Sequence, residues 1–359
     1  MAKIDTLLVR MVKSHASDLH LSAGEPVRMR VHGELEAFSD RPVTTEQLDL
    51  IMREICREEQ WSRFLEQHEL DFSYGIQGTG RFRCNYLMQL RGPGAVFRVI
   101  PEEIITIEQL GLAPALHKFP DFERGLVLVT GPTGSGKSTT LAAIIDKINS
   151  TTAKHIITIE DPIEFVHWNK RSYLVQREVG GHSPSFARAL NDALREDPDV
   201  ILVGEMRDLE TIALAVGAAE MGVLVFGTLH TNSAPKTIDR LIDVFPPTQQ
   251  EQIRSMLSES LVAIAAQQLL RRKDGRGRVA ASEILLSGPA LSNILREGSI
   301  SKIYSYIQSN KAHGMQTMDE ALMGLVKQDL VSADDAFLKA NDKKGFEDWA
   351  RENGIELNV

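Results

Sequence analysis

Residues 125–143 read GLVLVTGPTGSGKSTTLAA, and this stretch decides the fold. GLVLVT is a short continuous apolar run of strand type. The loop that follows, Gly131 to Ser138, matches GxxxxGK[ST] at every fixed position. A helix-forming stretch runs from Lys137 to Asn149. Strand, glycine-rich loop and helix in that order make an anion site. The glycines let backbone amides turn inward with no Cβ in the way, and the helix N-terminus adds partial positive charge. Gly131, Pro132, Thr133, Gly134, Ser135, Gly136, Lys137, Ser138 and Thr139 are therefore expected to hold the phosphates of ATP. Lys137 serves the β and γ phosphates, and Ser138 serves Mg²⁺.

Further apolar runs at 156–159, 200–203 and 223–226 are continuous, as in parallel strands buried on both faces. Helical patterns lie between them, so a wound α/β domain is expected. In such sheets ligands bind at the C-terminal ends of the strands. One run leads there into Glu160, Asp161 and Glu164, and another into Glu205 and Asp208. Carboxylates at that edge suit metal holding and water orientation in phosphoryl transfer. A third strand, Val223 to Leu229, leads into His230, read as a γ-phosphate sensor or water-orienting group.

Residues 1–100 read as a smaller α+β domain, with strands at Val27–Val31 and Arg81–Tyr86 and helices within 45–67. Arg81, Arg83 and Arg98 flank an expected hairpin with Arg91 near its turn. They form either a solvated strand face or a cationic finger toward a neighbouring subunit's nucleotide. Residues 101–120, with three prolines and Gly111, read as a linker with a short helix. The ATPase domain is expected over 121–290 and a helical region over 291–359. There Thr317 and Glu320 form a capping box ahead of Met318, Leu322 and Leu325, and Asn341–Val359 reads as a loosely attached helix.

The chain has 359 residues, 43% of them apolar and 25% charged, enough for two soluble domains. A net charge of −9 argues against a general nucleic-acid binder. Cys56 and Cys84 make neither a CxxC nor a disulfide framework, which fits a reducing, cytoplasmic setting. The N-terminus lacks a signal-peptide pattern. The longest apolar stretch, Leu214–Leu229, is broken by Glu220 and several glycines and is too short to cross a bilayer. No direct membrane insertion is expected, while docking on a membrane complex stays compatible.

The ordered blocks SDLHLSAG (17–24), GRFRCNY (80–86), GAVFRVIP (94–101), ITIEDPIEFVH (157–167), LREDPDVILVGEMRDLETI (194–212) and GTLHTNSAPKTIDRLIDVFP (227–246) join the loop in one resemblance. So do ALSNILREG (290–298) and GMQTMDEAL (314–322). Together they resemble the secretion and pilus ATPases, and within them the type IV pilus retraction ATPases, the PilT/PilU group. The resemblance implies a PAS-like N-terminal domain, a RecA-like ATPase domain and a homohexamer. It implies a motor acting on an inner-membrane platform protein at the pilus base. Glu164 matches the family's catalytic glutamate, Glu205 its Walker B acid beside Mg²⁺, and His230 its histidine-box residue. Arg83 and Arg98 match N-domain arginines that reach nucleotide phosphates. The chain departs from the group at Leu291-Ser292, where Ile-Arg is usual, and at Asn191, where a basic residue is common. These departures leave an accessory retraction motor open. Pilus-assembly and type II secretion ATPases are a further alternative, but they usually carry a four-cysteine zinc site that two isolated cysteines cannot build.

Overall fold

The expected strand and helix patterns resolve, in the computed structural model, into two units. One comprises residues 1–103 together with 162–166, the other 104–161 together with 167–359. The described residues are 2–31, 34–100 and 103–357, so expectations that touch Met1, His32, Gly33, Pro101, Glu102, Asn358 and Val359 lie outside them.

In the first unit six strands form one antiparallel sheet. They are β1 Asp18–Ser22, β2 Pro26–Val31, β3 Glu34–Pro42, β4 Glu69–Ile76, β5 Gly80–Gln89 and β6 Gly92–Ile100, in the order β3-β2-β1-β6-β5-β4. Period-two alternation decides which side is covered. Leu19, Met29, Phe72, Cys84 and Phe97 share one core with Leu8, Met52 and Phe64 from the helices Lys3–Lys13, Thr45–Glu54 and Glu58–Gln67. The alternate row carries Arg30, Asp18, Arg98 and Arg83 side by side across four strands. This is the small α+β domain that the sequence predicts.

The second unit holds β7 Gly125–Thr130, β8 His155–Glu160, β9 Tyr173–Glu178, β10 Val200–Val203, β11 Leu224–Leu229, β12 Leu261–Arg271 and β13 Arg278–Leu286. Their order is β13-β12-β7-β11-β10-β8-β9, all parallel except β13. All six residues of β7 are buried, and its alternate side chains enter two cores. Leu126 and Leu128 pack with the helices Phe186–Ala193, Leu209–Glu220 and Ala234–Asp243. Val127 and Val129 pack with the helix Lys137–Thr151 and with Ile107, Leu112, Leu116 and Phe119. Helices on both faces of a parallel sheet explain why these strands read as unbroken apolar runs. The α/β prediction holds, with β9, β12 and β13 added to it.

The Thr317–Glu320 capping box forms in both directions, at 3.0 and 3.2 Å. The C-terminal tail corrects the expectation of a loosely attached helix. Its helix Lys343–Glu352 buries Phe346 completely, in a cluster with Leu270 and Val279 of the β12–β13 hairpin.

Candidate nucleotide site

The loop begins where β7 ends. Thr130 lies opposite Leu229 in the β7–β11 register, and Gly131 N–H donates to the Leu229 carbonyl at 3.2 Å. Two glycines are required by geometry. Gly131 has φ +147° and a Cβ there would stand 2.3 Å from the Gln267 carbonyl oxygen; Gly136 has φ +87° and its Cβ would meet Gln267 Nε2 at 2.9 Å. Residue 136 also caps the helix Lys137–Thr151 and brings no side chain to the first-turn amides, which suits an external anion there. Lys137 Nζ donates to the carbonyls of Gly131 and Pro132 at 2.8 and 3.1 Å, so its ammonium lies across the loop. The buried Ser135 Oγ has no hydrogen-bond partner among the described residues.

A residue that sequence reading missed holds this loop from below. Gln267, on β12 and almost fully buried, donates from Nε2 to the Ser135 carbonyl at 2.7 Å and accepts from Thr140 Oγ1 at 2.9 Å. Its only signal is a polar pair, Gln267-Gln268, inside an otherwise apolar run. Thr237 was missed too. Its hydroxyl lies 3.4 Å from Thr130 Oγ1 and 2.7 Å from Thr231 Oγ1, tying the strand before the loop to the residue after His230.

Of the predicted acids, Glu205 meets His230. β10 ends at Val203, and Gly204 N–H donates to the Ile159 carbonyl while Met206 N–H donates to the Thr228 carbonyl, at 2.7 and 3.0 Å. The residue between them, Glu205, lies 2.9 Å through Oε1 from His230 Nε2 and accepts through Oε2 from Arg207 at 2.6 Å. Burial alone would raise the Glu205 carboxyl, but the Arg207 hydrogen bond and charge, with His230, outweigh it and hold it below the usual range. Glu160 instead accepts from Thr158 Oγ1 at 2.6 Å and from Gln176 at 3.2 Å. Asp208 caps the helix Leu209–Glu220 through Thr211 N–H at 2.9 Å.

Glu164 is exposed on the segment 162–166, which belongs to the first unit. Arg83 and Arg98 face one another across β5 and β6 in that unit. Arg98 donates to the buried Asp18 carboxylate at 2.7 Å, and Arg83 lies 3.7 Å from Asp71. Both keep much of their side chains exposed. The departure at Ser292 also has a structural place, since its hydroxyl donates to the Ser258 carbonyl at 2.7 Å.

Phosphoryl transfer asks a protein mainly for positioning and for charge placed where charge develops. The C-terminal edge of this sheet carries the glycine-rich loop and the Glu205–His230 pair, and the second unit is a P-loop ATPase fold. The chain belongs to the type II/IV secretion system protein family, whose model matches residues 1–336, and within it to the type IV pilus retraction ATPases. It is 52% identical over 343 residues to the type IV pilus retraction ATPase PilT of Pseudomonas aeruginosa, covering 96% of this chain and 99% of that one. It is 40% identical over 339 residues to the type IV pilus ATPase PilU of the same organism, covering 94% and 89%. A crystal structure of the pilus retraction motor PilT with bound ADP matches with a TM-score of 0.89 and 44% identity over 97% of this chain and 99% of that one.

Proposed function

We propose that this protein is the ATP-hydrolysing motor of type IV pilus retraction, working as a homohexamer in the cytoplasm on an inner-membrane platform protein at the pilus base. The observation that carries it is the Glu205–His230 pair, 2.9 Å apart, on the strand tips beside the glycine-rich loop. The greater identity to PilT than to PilU, 52% against 40%, supports the main rather than the accessory motor.

In this reading residues 1–100 form a PAS-like domain, 101–120 a linker, 121–290 the RecA-like ATPase domain and 291–359 the helical extension. ATP phosphates lie in the loop from Gly131 to Thr139. Lys137 leaves the loop carbonyls for the β and γ oxygens, a short swing for a flexible side chain. Ser138 and Glu205 offer the hard oxygen donors that suit Mg²⁺, which neutralises charge on the phosphates when bound. His230 reports on the γ-phosphate through the carboxylate it shares with Arg207. Glu164 orients the attacking water, and Arg83 and Arg98 bring positive charge to the phosphates in the assembled ring.

Lys137→Ala is expected to keep the fold and lose ATP turnover by more than about a hundredfold. Undiminished phosphate release would end the proposal. Deleting the gene is expected to leave cells with surplus pili that do not retract. Cells without pili would instead assign the motor to assembly.

A further inference from the structure

The segment carrying His230 is tied to a buried carboxylate that none of the steps above uses. Glu283 lies on β13 with 1% of its surface exposed. Its Oε1 accepts from the backbone N–H of Ala234 at 2.7 Å, and Ala234 opens the helix Ala234–Asp243 four residues after His230. Burial, with Asp319 nearby, pushes the Glu283 carboxyl above the usual range, while the N–H groups of Ala234 and of Met318, the first residue of the helix Met318–Lys327, pull it back toward the charged form. One side chain thus joins the N-termini of two helices, where a negative charge is favoured by both dipoles.

The surroundings make this a fixed join. Next to Glu283, Ile284 N–H donates to the Gln316 carbonyl at 2.8 Å, and Gln316 Nε2 donates to the Ser282 carbonyl at 2.7 Å. Asp319, also buried, accepts from the N–H groups of Asn341 and Asp342 at 2.6 and 3.2 Å. A path of hydrogen bonds and short backbone steps therefore runs from the C-terminal helices through Asp319, the neighbour of Met318 in the chain, and through Glu283 to the turn that begins at His230. Within that turn, Thr237 Oγ1 donates to the Ser233 carbonyl at 2.7 Å and lies 2.7 Å from Thr231 Oγ1 and 3.4 Å from Thr130 Oγ1, at the end of β7.

We propose that Glu283 is a positioning residue. It sets the height and orientation of the His230 turn, and so couples the C-terminal helical region to hydrolysis. The inference rests on the ATPase reading and on the role given to His230 there. A carboxylate that only stabilised the fold would affect His230-dependent and His230-independent turnover alike. One that acts through His230 would not.

The test is a double-substitution cycle in the full-length protein, measured as steady-state ATP turnover, with fluorescent-ADP affinity and thermal unfolding as controls. Glu283→Gln preserves shape but removes the charge shared by two amides. It is expected to lower kcat about tenfold while KM and ADP affinity stay within about twofold of the wild type. In a His230→Ala background the same change is expected to lower kcat less than about twofold. Equal losses in both backgrounds would overturn the proposal, as would an unchanged kcat in Glu283→Gln alone. Should Glu283→Gln not fold, Glu283→Asp, which keeps the charge but cannot span both amides, carries the same cycle with the same criteria. Failure of the ATPase reading would look different, since the unmodified protein would then show no turnover that Lys137→Ala removes.

Discussion

Glu205 illustrates how much a single strand tip can say. Its carboxylate is fixed by backbone hydrogen bonds on either side, by Arg207 and by His230, and its proton affinity lies below the ordinary range because that pairing outweighs burial. Glu205→Gln removes the charge while keeping the shape. Turnover is expected to fall about a hundredfold with little change in nucleotide affinity, as when a group acts mainly on the transition state. Wild-type kcat would sink that expectation. The pair was legible in sequence because His230 directly follows one apolar strand and Glu205 stands one residue beyond another, so topology alone brings both to one edge. Glu160 was equally legible and read the same way. Its contacts with Thr158 and Gln176 were not, because Gln176 arrives on β9, a strand the pattern did not reveal. Motifs carry their own local geometry. Partners contributed by distant chain do not announce themselves.

At the level of elements, the loop is shaped as much by β12 as by its own glycines. Leu261–Arg271 follows the helix Pro247–Ser260 directly, and LVAIAAQQLLR has apolar residues at spacings that suit a helix as well as a strand. Its identity as a strand comes from pairing with β7 and β13, which are distant in sequence. That is why Gln267 escaped notice. Replacing Gln267 with Leu would leave the Ser135 carbonyl and the Thr140 hydroxyl without their partner, at a cost of roughly 1–3 kcal/mol for a buried unsatisfied group. Most of that is expected to appear as weaker nucleotide binding, read by titration with a fluorescent ADP. A loss confined to thermal stability would detach Gln267 from the loop's function. Gly131→Ala is the harsher case, because φ +147° strains any side chain and the new Cβ collides with backbone rather than with a movable group. It is expected to abolish nucleotide binding in a protein that still folds.

For the whole molecule, the two-core second unit followed from the run-and-helix alternation, but its stability draws on parts the sequence under-reads. The tail from Asn341 is charged, yet Phe346 has no exposed surface and packs against Phe337 and Trp349. Phe346→Ala is expected to cost about 3–5 kcal/mol in urea unfolding, where a loosely held tail would cost almost nothing. A second lever is pH. His167 is buried, its Nδ1 has no hydrogen-bond partner among the described residues, and the charges that act on it are Asp146, 3.9 Å away, and Lys170. Burial disfavours the imidazolium more than Asp146 favours it, and Lys170 opposes it further, so the folded-state pKa falls to about 4 from 6.5. Between those values the unfolded chain binds more protons than the folded one, so stability rises with pH across that window and is lost as pH falls through it. From pH 7.5 to pH 5 the contribution amounts to about 2 kcal/mol, growing further toward pH 4. His167→Gln removes the titrating group and is expected to reduce the stability lost over that interval by this amount. Parallel urea titrations of the two proteins at both pH values make the measurement. Equal losses would mean that His167 is already protonated, or solvated, in the folded state.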